Sequence, residues 1–304
     1  MDYDLSEIQQ SLLDTVTNVV QGSGGVERAQ AVSRDAGYDE ELDTALRERV
    51  DLSGTGMLER VLVAEQLAEF GTATTFGLRA VLESEIELPA GAVVVADRHR
   101  SGPVRYGPAA TTLLLLDGDT ASLVELPAGR TSTIRSSYGF PYARLDREQL
   151  AGAECPVDGT RLRSLWRLAT SAEIAGNASA ATKHTAEHLR TRQQFGQPLA
   201  FFQALRHRLA DAAVTAEATR WMVRDAAFAD ENRAFDLAAA YAADCAARLV
   251  PELVQLCGAR SFTIAFGLQA YAMRLAGLRL ELGGADHLAA AVLAHADAGV
   301  GVDA

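Results

Sequence analysis

Two segments carry residue types that could do chemistry. The first is "RTRQQFGQPLAFFQ", Arg190 to Gln203, where a glycine and a proline interrupt an otherwise alanine-rich, helical texture. Gly196 and Pro198 account for a corner between two helices, with Pro198 in the first turn of the second. They do not account for Arg192, Gln194 and Gln203, whose polar groups a bare corner does not need. A guanidinium beside a helix N-terminus is a good seat for an anion such as a pyrophosphate. Phe195 offers a flat surface on which a ring can pack.

The second segment is "HTAEH", His184 to His188, which matches the H-x-x-E-H spacing. Two imidazoles one helical turn apart can share a metal, and Glu187 could act as a base. No third ligand is evident, and Lys183 and Arg190 nearby suit a solvated helix face, so no metal is assigned. There is no G-x-S-x-G elbow for a nucleophilic serine. Cys257 lies in the apolar context "VQLCGARSF", which reads as packing.

These segments need elements to hold them. Residues 1–83 read as helical, with Leu5, Ile8, Leu12, Leu13 and Val16 at helical spacing and further helices over 39–49, 57–70 and up to about Leu82. "GSGGVE", Gly22 to Glu27, reads as a connector, because it neither follows a strand nor carries the dinucleotide fingerprint. Residues 84–150 change texture: "AVVVAD", "PVRYG", "TTLLLLD", "ASLVEL" and "TSTIRS" are strand-sized runs, and "DGD" marks a hairpin. Residues 151–304 return to long Ala- and Leu-rich segments near 159–191, 199–230, 233–257, 266–281 and 285–297, the pattern of an antiparallel bundle. The fold class is therefore an N-terminal helical domain, a small antiparallel β domain and a C-terminal helical bundle. Without βαβ alternation a doubly wound sheet is excluded.

Composition narrows the function. The 304 residues carry a formal net charge of −12, which argues against a nucleic-acid partner. No apolar run approaches the ~18–20 residues of a membrane span. The acidic start "MDYDLSEIQQ" lacks the features of a secretory signal, and the 3 cysteines have no framework spacing. A cytoplasmic protein is expected.

At this point the chain resembles a family. "RTRQQFGQPLAFFQALRHRLAD" is similar to the acyl-CoA dehydrogenase signature R-x-x-F-G-x-x-L, a following Gln, and Leu-Ala-Asp. "VQLCGARSF" resembles that family's Q-x-x-G-G-x-G-[FY] segment, and "MRLAGLRLELGGADHL" its R-D-x-x…E-G-T loop. The likeness covers roughly 158–297 well, 57–83 fairly and the middle weakly.

The resemblance implies FAD and the oxidation of an acyl-CoA thioester to the 2-enoyl-CoA. It implies that Arg192 binds the pyrophosphate of a neighbouring subunit's FAD. Gln194, Phe195, Leu199 and Gln203 would line that FAD's adenosine-side pocket, and Gln255, Gly258 and Ala259 would approach the same cofactor. Ala259 and Ser261 stand where the family has glycines, so this half is altered.

Other departures concern the chain's own site. The family's catalytic Glu falls on Gly283, and an alternative base position falls on Trp166. The nearest carboxylate, Glu281, is two residues early, which rotates a helical side chain by about 200° and points it away unless the loop is rebuilt. The flavin-holding T-E-P-x-A-G-S-D and W-I-[TS]-N segments are missing from 84–150. The resemblance thus implies the small, non-catalytic subunit of an α2β2 acyl-CoA dehydrogenase for a bulky, steroid-derived substrate. A larger, Glu-bearing partner would bind most of the acyl-CoA. Two alternatives stay open: an autonomous dehydrogenase using Glu281, and a flavin-free scaffold on the same fold.

Overall fold

A computed structural model describes residues 4–299 apart from 128 and 149. Five helices come first: α1 (Glu7–Gly22), α2 (Gly25–Arg34), α3 (Glu40–Arg49), α4 (Met57–Glu69) and α5 (Phe76–Leu82). Ser6 and Gln9 form a capping box that starts α1, and Asp39 caps α3 by accepting from the Leu42 N–H at 3.2 Å. The expected connector at 22–27 is only a bend, because Gly24 and Gly25 take positive φ and α2 starts at once.

Among the described residues seven strands follow: β1 (Ala92–Asp97), β2 (Val104–Arg105), β3 (Ala110–Asp117), β4 (Thr120–Glu125), β5 (Ser132–Ile134), β6 (Tyr142–Arg144) and β7 (Ala153–Glu154). They form a four-stranded sheet of order β1-β3-β4-β7 and a three-stranded sheet of order β2-β6-β5. The "DGD" turn joins β3 to β4 as expected, pairing Asp117 with Thr120. One pair departs from the antiparallel pattern: β1 runs parallel to β3, with Val94 opposite Leu113. No hairpin joins these two strands. The intervening chain carries β2 into the other sheet, so β3 re-enters in the direction of β1. Every residue of β1 is buried, as fits a strand covered on both faces.

The bundle begins with α6 (Gly159–Thr191), started by Asp158 accepting from the Thr160 N–H at 2.7 Å. A short hairpin, β8 (Gln193–Gln194) and β9 (Gln197–Pro198), leads to α7 (Gln203–Ala229), then α8 (Asn232–Cys257), α9 (Leu268–Glu281) and α10 (Ala285–Gly299). Small residues such as Ala169, Ala172, Ala175, Ala178 and Ala181 are fully buried along α6 and let its neighbours approach closely. The core is continuous from strands to bundle: Leu113 and Leu115 of β3 share one apolar cluster with Ile174, Leu249 and Leu278.

Candidate functional site

The corner after α6 is built by a two-residue turn. The Arg192 N–H donates to the His188 carbonyl at 2.8 Å and ends the helix. Phe195 and Gly196 then both take positive φ, +55° and +78°, the geometry of a tight hairpin turn. The Leu199 N–H closes the hairpin on the Arg192 carbonyl at 2.8 Å. Pro198 therefore belongs to β9 rather than to a helical turn. A 3-10 turn over Leu199–Phe201 separates it from α7, which starts at Gln203.

Most of the corner faces solvent. Phe195 at the tip is 88% exposed and meets Phe202 edge-on, with ring centroids 5.9 Å apart. Arg192, Gln194 and Gln203 are exposed, and Leu199 is half-buried. Among the described residues no carboxylate pairs with Arg192. Gln203 reaches only its own helix neighbour His207, at 3.5 Å.

Gln255, Gly258 and Ala259 lie at the end of α8 and in the 3-10 turn Gly258–Phe262, and all three are exposed. The structure joins this segment to the corner through α6. The Cys257 thiol lies 3.7 Å from the Thr185 hydroxyl. His184 and His188 meet Phe266 edge-on at 4.7 and 4.8 Å, and the Arg260 guanidinium lies over the same ring at 5.5 Å. Burial depresses the His188 pKa, and repulsion from Arg260, Arg192 and His184 depresses it further. Arg192 and Arg260 thus bring two cations to one histidine. The expected solvated face of "HTAEH" is corrected here: His188 is 6% exposed, because helical spacing turns both imidazoles onto Phe266. Among the described residues no three or more His, Cys, Asp or Glu gather as a metal site. Arg260 and Phe266 had no signal in the sequence, since their role depends on how α9 folds back.

A second candidate lies between sheet and bundle. It is a cavity of about 600 Å³ whose wall includes Arg100, Arg105, Tyr138, Tyr142, Trp166 and Glu281. Arg105 is a buried clamp. It donates through both terminal nitrogens to Glu173, at 2.7 and 3.0 Å, and through Nε to Glu281 at 2.7 Å. Burial alone would depress Arg105, but Glu173 and Glu281 override it and hold it well above its ordinary value. The Arg105 and Arg274 guanidinium groups both lie over the Phe140 ring, 4.9 and 5.0 Å from its centroid.

Glu281 does not point away, as the count along the helix suggested. Its carboxylate lines the cavity and accepts from the Trp166 indole N–H at 3.3 Å. The reason is Arg105, which reaches from β2 and draws the last residue of α9 inward. Neither position to which the resemblance assigns a base holds a carboxylate. Trp166 is buried against Glu281. Gly283 stands at φ +98°, and a Cβ there would lie 2.8 Å from Arg100 Nη2 and 2.8 Å from the His287 ring. A side chain at 283 would meet both backbone strain and an occupied space.

Comparison with known proteins agrees with this architecture. Residues 164–298 match the model of the acyl-CoA dehydrogenase C-terminal domain. The chain is 28% identical to the acyl-CoA dehydrogenase IpdE2 of Mycobacterium tuberculosis, covering 89% of this chain and 92% of that protein. Its fold superposes on the ChsE4-ChsE5 complex of Mycobacterium tuberculosis with a TM-score of 0.82 at 22% identity, over 98% of this chain and 99% of that one. The steroid acyl-CoA dehydrogenase Tcur3481-Tcur3483 gives 0.74 at 20% identity, over 96% and 99%.

Proposed function

We propose that the chain is a member of the acyl-CoA dehydrogenase family, and within it the non-catalytic subunit of a heteromeric, FAD-dependent enzyme. In this reading it completes the FAD site of a larger partner, which contributes the base and binds most of the acyl-CoA. The ChsE4-ChsE5 and steroid-enzyme likenesses support a heteromeric assembly and a bulky, steroid-derived acyl group. Buried free thiols at Cys155, Cys245 and Cys257 support a cytoplasmic setting. We take 1–83, 84–150 and 151–304 as its three structural units.

The observation that carries the proposal is Arg192: an exposed guanidinium with no carboxylate partner, next to an exposed aromatic tip. That donor set fits a dinucleotide pyrophosphate flanked by a ring system. Arg192 would neutralise the pyrophosphate, Gln194 and Gln203 would donate to polar edges, and Phe195 and Leu199 would exclude water. Gln255, Gly258 and Ala259 would approach from the neighbouring turn. FAD, when bound, would supply the hydride acceptor. Changing Arg192 to Ala in the purified complex should lower flavin per heterodimer and activity together. Full flavin content and turnover in that variant would refute the reading.

One observation favours an autonomous enzyme: Glu281 does line the cavity. Its oxygens, however, already accept from Arg105 and Trp166. A carboxylate whose oxygens are engaged inside the chain is not free to face a substrate proton. Glu281→Gln should leave turnover of the complex unchanged; abolished turnover would establish the autonomous reading. A complex of normal stoichiometry without flavin would point to the scaffold.

A further inference from the structure

One half-buried cation on the wall of the cavity of about 600 Å³ makes no ion pair among the described residues. The other half-buried or buried charges of the wall are committed. Asp97 is paired with Arg163, and Glu281 with Arg105. Arg147 donates to the main-chain carbonyls of Asp97, Arg100 and Gly102. Arg135 is exposed at the rim. Arg100 is different: it is half-buried on the cavity wall, and its side chain makes no hydrogen bond or ion pair among the described residues.

Its surroundings make that state costly. Burial depresses Arg100. Asp97 and Glu281 partly counter this, and Arg167 and Arg163 repel it. A guanidinium held out of water without a partner is unfavourable unless an anion joins it. Its position adds a second point. Arg100 Nη2 fills the space into which a side chain at Gly283 would extend. Where the family pattern would place a carboxylate, this chain places a positive charge. The rest of the wall is largely apolar or aromatic, with Val95, Val104, Ile134, Leu280, Tyr138 and Trp166. The cavity falls within the ~300–1,000 Å³ of small-molecule sites.

We propose that this cavity binds a carboxylate-bearing small molecule with a bulky apolar body, whose anionic end is taken by Arg100. The chain's own cleft then serves as a binding pocket rather than a proton-abstracting one. This does not depend on whether the exposed corner completes a partner's FAD site.

The test is calorimetric titration of the full chain with cyclohexanecarboxylate, its neutral isostere cyclohexanecarboxamide, and inorganic phosphate. The carboxylate should bind saturably at one site, and the amide and phosphate at least about tenfold more weakly. Arg100→Gln should bring the carboxylate down to the amide's level, while Arg100→Lys, which keeps the charge, should retain most of the binding. Arg100 has no side-chain partner to lose among the described residues, so Arg100→Gln should fold, as an unchanged far-ultraviolet circular dichroism spectrum will show. Equal binding of amide and carboxylate would overturn the proposal. So would unchanged binding in Arg100→Gln, phosphate matching the carboxylate, or no saturation by about 50 mM carboxylate, well above a millimolar dissociation constant.

Discussion

Arg105 and Arg192 are both arginines within reach of a candidate site, and they are used in opposite ways. Arg105 is 6% exposed and holds two carboxylates with three hydrogen bonds. Arg192 is exposed and, among the described residues, holds none. The carboxylates that line the cleft between sheet and bundle, Asp97 and Glu281, are both tied down. The corner at the other site leaves its donors open. A residue type alone does not mark a site; what matters is whether its charge is already spent inside the chain.

The largest effect that could break this contrast is on stability. Arg105→Leu leaves Glu173 and Glu281 without their cation, and should cost about 3–5 kcal/mol by chemical denaturation. A loss below about 1 kcal/mol would mean that the clamp is not closed. Arg100→Leu should act in the opposite direction, raising stability by about 1 kcal/mol, because it removes from the cavity wall a charge that burial penalises and that makes no hydrogen bond or ion pair among the described residues. A clear loss would show that Arg100 has a partner within the chain.

The corner's buried support should show in pH. Burial holds His184 and His188 below their ordinary pKa, so folding favours their neutral forms. Their contribution is fully present above the unfolded value of about 6.5 and is lost as pH falls towards the folded values. Thermal melts of the wild type should decline over that range more steeply than those of a His188→Gln variant. Parallel curves would remove the imidazoles from the account. Smallest of all should be Phe195→Ser. With Phe195 at an exposed tip, it should shift the isolated chain's stability by less than about 0.5 kcal/mol.

Legibility followed the range of the interactions. The bundle helices were readable because each is long and Ala-rich, and α6 runs over the expected 159–191. The β3–β4 hairpin was readable from three adjacent residues. The helix α2 was not, since its start is two glycines that read as a break. Nor was the parallel pairing of β1 and β3, which depends on where the chain between them goes. The inward turn of Glu281 depends on Arg105, 176 positions away. The filling of the space beside Gly283 depends on Arg100, which no local pattern connects to it. The exposed corner, in contrast, is a continuous stretch, and its residue types and spacing were visible directly.

The central claim is that this chain lends its corner to another subunit's cofactor. The most direct measurement is bound flavin per heterodimer, by absorbance, in complexes carrying wild-type chain or Arg192→Ala with Phe195→Ser. The account predicts flavin in the wild-type complex, a marked loss in the double variant, and unchanged folding of the variant chain alone. Undiminished flavin in the variant complex, or a full flavin complement on the isolated chain, would contradict it.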